Sequence, residues 1–166
     1  MGRIPGPRHH SRALLLVALA LSVAASAEAA PNALIYGLTS GSALVTFRSD
    51  APGTILSSKP VAGIAAPLVG IDFRPSTGQL YGLTKATPPL VGPGQLYVID
   101  PLTAEATAVG APMTLDGTHF GFGVDPVADR IRVVSNNDQN LIARSSDGVL
   151  TQLCCADPAQ GDVPVR

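Results

Sequence analysis

The chain has no tryptophan, only 4 Phe and 3 Tyr among 166 residues, and charged side chains at only 14% of positions. Neither sign of charge is in excess, with 11 Lys plus Arg against 12 Asp plus Glu. A protein that binds nucleic acid neutralises phosphates with a basic surplus, and this chain has none to offer. Cysteine is nearly absent too. The only two, Cys154 and Cys155, are adjacent, which excludes a disulfide framework and supplies half of a structural zinc shell at most. There is no G-x-S-x-G elbow, no H-E-x-x-H, no Walker loop, and no G-x-G-x-x-G that opens a helix. After residue 31 no apolar run approaches the length of a membrane span, and none keeps helical spacing beyond about two turns.

The first thirty residues read as an address. Arg3, Arg8 and Arg12 precede an apolar run from Ala13 to Leu21 that continues through Val23 to Ala25. Small residues follow, with Ala27-Glu28-Ala29 as an A-x-A site. A positive segment, a short apolar core and a small-residue cleavage site describe a secretory signal peptide over residues 1–30. Its removal discards His9 and His10. Three arginines and one glutamate go with it, leaving 8 basic and 11 acidic residues, a net charge of −3. The mature chain is expected to be secreted or periplasmic, without a membrane span.

What remains is rich in punctuation, with 17 Gly and 15 Pro in the whole sequence. Short apolar runs recur between Gly, Pro, Asp and Asn clusters, the pattern of a many-stranded all-β chain. Tyr36-Gly37-Leu38-Thr39 returns letter for letter as Tyr81-Gly82-Leu83-Thr84, 45 residues on. A degenerate third copy, Ile131 to Ser135, matches Leu80 to Thr84 at a spacing of 51. Phe73-Arg74-Pro75 and Val124-Asp125-Pro126 precede the second and third copies at the same distance. Each copy is followed by a second strand, a turn (Asp50 to Gly53, Asp100 to Thr103, Ser145 to Gly148) and a third strand. In these turns Asp caps its own backbone, Pro presets φ and Gly accepts positive φ. Leu68 to Phe73 and Phe120 to Val124 complete the first two units. Antiparallel four-stranded units at this period predict a β-propeller type of repeat. The domain spans 31–153 in units of about 33–74, 79–125 and 129–153, with an irregular tail over 154–166. Three blades make an incomplete ring with open edges, and open edges invite edge-to-edge self-association.

The motifs Ala33 to Leu38, Gly70-Ile71-Asp72-Phe73-Arg74-Pro75, Gly78 to Leu83 and Leu96-Tyr97-Val98-Ile99-Asp100-Pro101 occur in that order. They continue with Gly117-Thr118-His119-Phe120-Gly121-Phe122 and Asp129 to Ser135. In these the chain resembles a bacterial family of secreted proteins known as domain-of-unknown-function family 4394. The resemblance implies a propeller-like repeat fold and no established chemistry. Members of that family continue through further strands, whereas here Leu153-Cys154-Cys155 leads into a polar tail, so the chain is expected to be truncated.

Candidate chemistry is sparse. Adjacent cysteines close a bond only by distorting the peptide between them, which places free or intermolecular thiols ahead of a vicinal disulfide and of a metal. His119, the only mature histidine, stands beside Asp116 and Thr118, where acid–base work is conceivable, but no nucleophile accompanies it. Asp72, Asp100 and Asp125 lie near strand ends, where loop carboxylates can hold Ca²⁺. Asp-Pro at a strand end is ordinary turn chemistry, and Asn136 to Asn140 lacks the acid spacing of a calcium loop. Gly121-Phe122-Gly123 enters a strand rather than a helix. Tyr36, Tyr81 and Tyr97 are a stacking platform if exposed and packing between blades if not.

No catalytic, cofactor-binding or metal residue is therefore assigned, and no cofactor. The favoured function is a non-catalytic module that binds an extracellular or envelope ligand. The alternatives are a Ca²⁺-dependent propeller hydrolase and a non-functional fragment of a longer protein.

Overall fold

The structure, a computed structural model, describes residues 2, 32–86 and 88–154, without the side chains of 152–154. The rest of the expected signal peptide and residues 155–166, Cys155 included, lie outside the described residues. Every regular element described is a strand, and no described helix is long and apolar enough to cross a membrane.

Among the described residues eleven strands form three antiparallel meanders. The first sheet joins β1 (Leu34–Leu38), β2 (Ala43–Arg48) and β3 (Ala51–Pro60). The second joins β4 (Leu68–Arg74), β5 (Gln79–Lys85), β6 (Val91–Ile99) and β7 (Ala106–Asp116). The third joins β8 (Phe120–Asp125), β9 (Arg130–Ser135), β10 (Asn140–Arg144) and β11 (Leu150–Cys154).

The period of two along β5 explains the layering. Leu80 points to a core shared with the first sheet, where Leu44, Leu68, Tyr97 and Ile99 meet. Tyr81 and Leu83 point to the opposite core, shared with Val124, Ile131, Val133 and Leu141 of the third sheet. The second sheet is thus covered on both faces, which is why β5 reads as an uninterrupted apolar run. The first sheet is covered on one. Its other face carries Ile35 and Ile55, 36% and 53% exposed.

The sheets differ from the units expected from the sequence by one strand. Leu68 to Phe73 does not close the first unit. It opens the second sheet as β4, in register with β5 (Phe73 opposite Leu80, Asp72 opposite Tyr81). Phe120 to Val124 opens the third in the same way, Val124 opposite Ile131. The connecting segment explains the transfer. Val61 N still donates to Ser42 O, but Ala62 bridges in parallel to Glu105, and Leu68 N donates to Ser42 Oγ at 2.9 Å. The chain leaves β3 and arrives beside β5.

Three strands are longer than the expected Thr54 to Leu56, Leu96 to Asp100 and Ala106 to Val109, and β6 starts at Val91. β3 starts at Ala51, because the register jumps from Arg48–Ala51 to Phe47–Ile55 and Pro52, Gly53 and Thr54 bulge out of an edge strand. β7 continues through Gly110 and Pro112 to bury Met113 and Leu115.

Candidate functional site

At one end of the strands the turns β4–β5 and β8–β9 meet, and charged groups knit them together. Arg74 Nε donates to Asp129 Oδ1 at 2.8 Å, and its Nη2 pairs with Oδ2 of the same carboxylate. Ser76 Oγ adds a bond to Oδ1 at 3.0 Å. Asp129 adopts a left-handed φ of 51°, a conformation an aspartate tolerates better than most residues. Its carbonyl accepts from Ser145 Oγ, and Ser145 O accepts from the Tyr81 hydroxyl, both at 2.7 Å. The Arg74 guanidinium holds the Asp129 carboxyl below the usual carboxylate range, chiefly through its hydrogen bond. Asp125 is lowered by the N–H groups of Ala128 and then Val127, and Asp147 first by that of Val149.

All three carboxylates favour the charged form in the fold, so their stabilisation is complete above the ordinary Asp pKa, about 3.9, and is lost as pH falls through the depressed values. The melting temperature is therefore expected to fall below about pH 4. Asp129→Asn should lower it at neutral pH and flatten the acid decline. A variant that declines in parallel with the parent would show that this seam is electrostatically idle.

The aspartates singled out in the sequence serve the fold. Asp100 Oδ1 accepts from Leu102 N at 2.7 Å and Thr103 N at 3.2 Å. Asp125 Oδ1 accepts from Val127 N at 2.8 Å and Ala128 N at 3.0 Å. Asp72 reaches into the third sheet, where its Oδ2 accepts from Val124 N at 2.8 Å. Among the described residues no three His, Cys, Asp or Glu converge in the way a metal site requires. A cavity of about 470 Å³ lies near Asp100, lined by Gln79, Val98, Leu102, Glu105 and Thr107 among others.

At the opposite end stands the histidine. His119 Nδ1 lies 3.0 Å from Thr118 Oγ1, and the His119 backbone N–H donates to Asn136 Oδ1 at 3.0 Å. No hydrogen bond joins it to Asp116. Asp116 N donates instead to Gln139 Oε1 at 2.9 Å, and Asp116 Oδ1 is buried with no partner among the described residues. The Asn136–Asn140 loop thus folds back on the β7–β8 turn. Nearby Lys85 is fully buried, its Nζ donating to Ala86 O and Pro89 O, both at 2.8 Å.

The tyrosines pack between sheets. Tyr36 meets Phe73 edge-on, ring centroids 5.2 Å apart. Tyr81 and Tyr97 are buried on opposite faces of the second sheet. The backbone of Cys154 ends β11 opposite Asn140, while its side chain lies outside the described residues. Arg74, Asp129, Ser145 and Lys85 were not anticipated. An Arg before a Pro and a lone Asp, 55 residues apart, carry no local signal.

A family model described as domain of unknown function (DUF4394) matches residues 43–163, most of the chain. The chain belongs to that family. The DUF4394 match starts at the first residue of β2 and takes in the Arg74–Asp129 seam, the Asp72 link and the cavity beside Asp100. No curated protein matches the chain. Among solved structures, a Bacteroides fragilis protein provisionally named as a 6-phosphogluconolactonase is similar at 20% identity and a TM-score of 0.43, over 70% of this chain. The aligned part is 33% of that protein, so the chain spans about a third of its length.

Proposed function

We propose that this DUF4394 protein is an exported, non-catalytic binding module built from propeller-type sheets, acting on a partner outside the cytoplasm. The observation that carries this reading is the use of its carboxylates. Asp72, Asp100, Asp125 and Asp129 each accept hydrogen bonds that hold turns or join sheets. Groups committed in this way are poorly placed to move protons or to polarise a carbonyl. What faces outward instead is strand edge and apolar sheet surface, with Leu34, Ile35, Ile55 and Leu56 exposed. Surfaces of that kind serve association, with partners or with a second copy.

The test is a screen of the purified mature chain against glycans, peptides and envelope components, read by thermal shift. A ligand that raises the melting temperature and is recovered chemically unchanged is the expected result. Turnover of an ester, lactone or glycoside would overturn the non-catalytic half. A melting temperature raised by millimolar Ca²⁺ would favour the calcium-dependent hydrolase instead.

A further inference from the structure

We propose that the open edge of β1 captures an extended segment of another polypeptide as a fourth strand of the first sheet. The segment has the pattern small residue, large apolar residue, aspartate, large apolar residue. This deepens the binding-module reading and rests on it.

The registers define the vacancy. Ile35 lies opposite Phe47, Leu80 opposite Ile99, and Ile131 opposite Ala143, so β1, β5 and β9 hold corresponding places beside their following strands. On their other side β5 pairs with β4 and β9 with β8. Among the described residues β1 pairs with β2 alone. Ala33 O accepts from Ser49 N and Thr39 N donates to Ala43 O, so the odd-numbered residues of this stretch bond to β2. By the alternation of an antiparallel ladder, the N–H and C=O groups of Leu34, Tyr36 and Leu38 point to the open side. A row of unpaired backbone groups templates an added strand.

The neighbouring sheets say which strand fits. β4 and β8 run side by side, and a Cβ on Gly70 would stand 2.6 Å from Phe122 Cβ, so only a very small residue passes there. Two positions on, Asp72 Oδ2 takes the N–H of Val124. One sheet earlier, the residue in the place of Val124 is Phe73. Among the described residues its N–H has only the Oδ1 of its own neighbour Asp72, at 2.9 Å. An aspartate opposite Tyr36 would bring a second carboxylate to Phe73 N–H, on the face where Tyr36 already meets the Phe73 ring. The apolar residues on either side of that aspartate turn to the other face. There they lie over Ile35 and Gly37, as Phe73 and Ile71 lie opposite Leu80 and Gly82.

β4 itself has this pattern, Gly70-Ile71-Asp72-Phe73, so a synthetic peptide of residues 68–75 is the probe. The full chain, isotopically labelled, is titrated with it while amide exchange and affinity are followed. Slowed exchange at Leu34, Tyr36 and Leu38 is expected. Asp72→Ala in the peptide should weaken binding about tenfold, the scale of one charge-assisted hydrogen bond. N-methylation of the peptide amides of Asp72 and Arg74, which meet β1, should abolish it without altering the protein. Three outcomes would overturn the proposal. One is no binding at millimolar peptide, and another is undiminished binding of the methylated peptide. The third is protection of those amides before peptide is added; if it grows with protein concentration, a second copy is the occupant. Ester turnover would end the binding-module reading without moving these amides, and a silent peptide would leave the glycan and envelope arms of that reading standing.

Discussion

Gly110→Ala is expected to destabilise the chain by about 2–5 kcal/mol, combining left-handed backbone strain with overpacking. Gly110 holds a φ of 66° within β7, and a Cβ there would lie 2.0 Å from Asp147 O and 3.0 Å from Asp147 C. The obstacle is backbone and has little freedom to retreat. Asp147 sits in the β10–β11 turn, where its Oδ1 accepts from Val149 N and from Arg144 Nε, both at 3.1 Å, and Gly148 N donates to Arg144 O. Gly78→Ala is the control. It shares the left-handed conformation, at φ 72°, but a Cβ there meets nothing within 4 Å. That variant should cost about 1 kcal/mol, the conformational part alone. Denaturant midpoints at a common m-value give both numbers. Equal costs would mean that β7 and the Asp147 turn are not in contact in solution.

Strand positions were legible in the sequence because turn chemistry is local. Asp100-Pro101 and Asp125-Pro126 announce their caps, and the repeat of Tyr36-Gly37-Leu38-Thr39 at Tyr81-Gly82-Leu83-Thr84 announces a strand at each place. The partner of β4 was not legible. Seven residues separate it from β3 and four from β5, both within reach of a hairpin, and the Ala62–Glu105 bridge and the Ser42 hydroxyl that carry the chain beside β5 are contacts across the fold. Pro52-Gly53 suggested a chain reversal, yet edge position and a bulge let β3 run through it.

The candidate site divides along the same line. Proximity in sequence placed His119 with Asp116, but Gly117, at φ 133°, intervenes, and the two residues bond to different groups. Asp72 carried a signal of another kind. It sits mid-strand in an apolar run, where a charge needs a partner, and that partner is a backbone N–H in the next sheet. Lys85 was invisible because lysine at a strand end is normally solvated. Burial of its Nζ against two carbonyls depends on the shape of the following loop.

Leu83→Ala is expected to cost about 2–5 kcal/mol, as large-to-small changes in closed cores do. Leu83 has no solvent exposure and faces the core between the second and third sheets, where Leu96, Leu115, Ile131 and Leu141 close around it. For a domain stabilised by roughly 5–15 kcal/mol this is a large share. Leu56→Ala removes the same atoms from β3, where the side chain is 55% exposed, and should stay within about 0.5 kcal/mol. Chemical denaturation of the two variants separates a strand that is covered from one that is not. A cost at Leu56 approaching that at Leu83 would mean that β3 is covered in solution. The face carrying Ile35 and Ile55 would then be the first place to look for the covering chain.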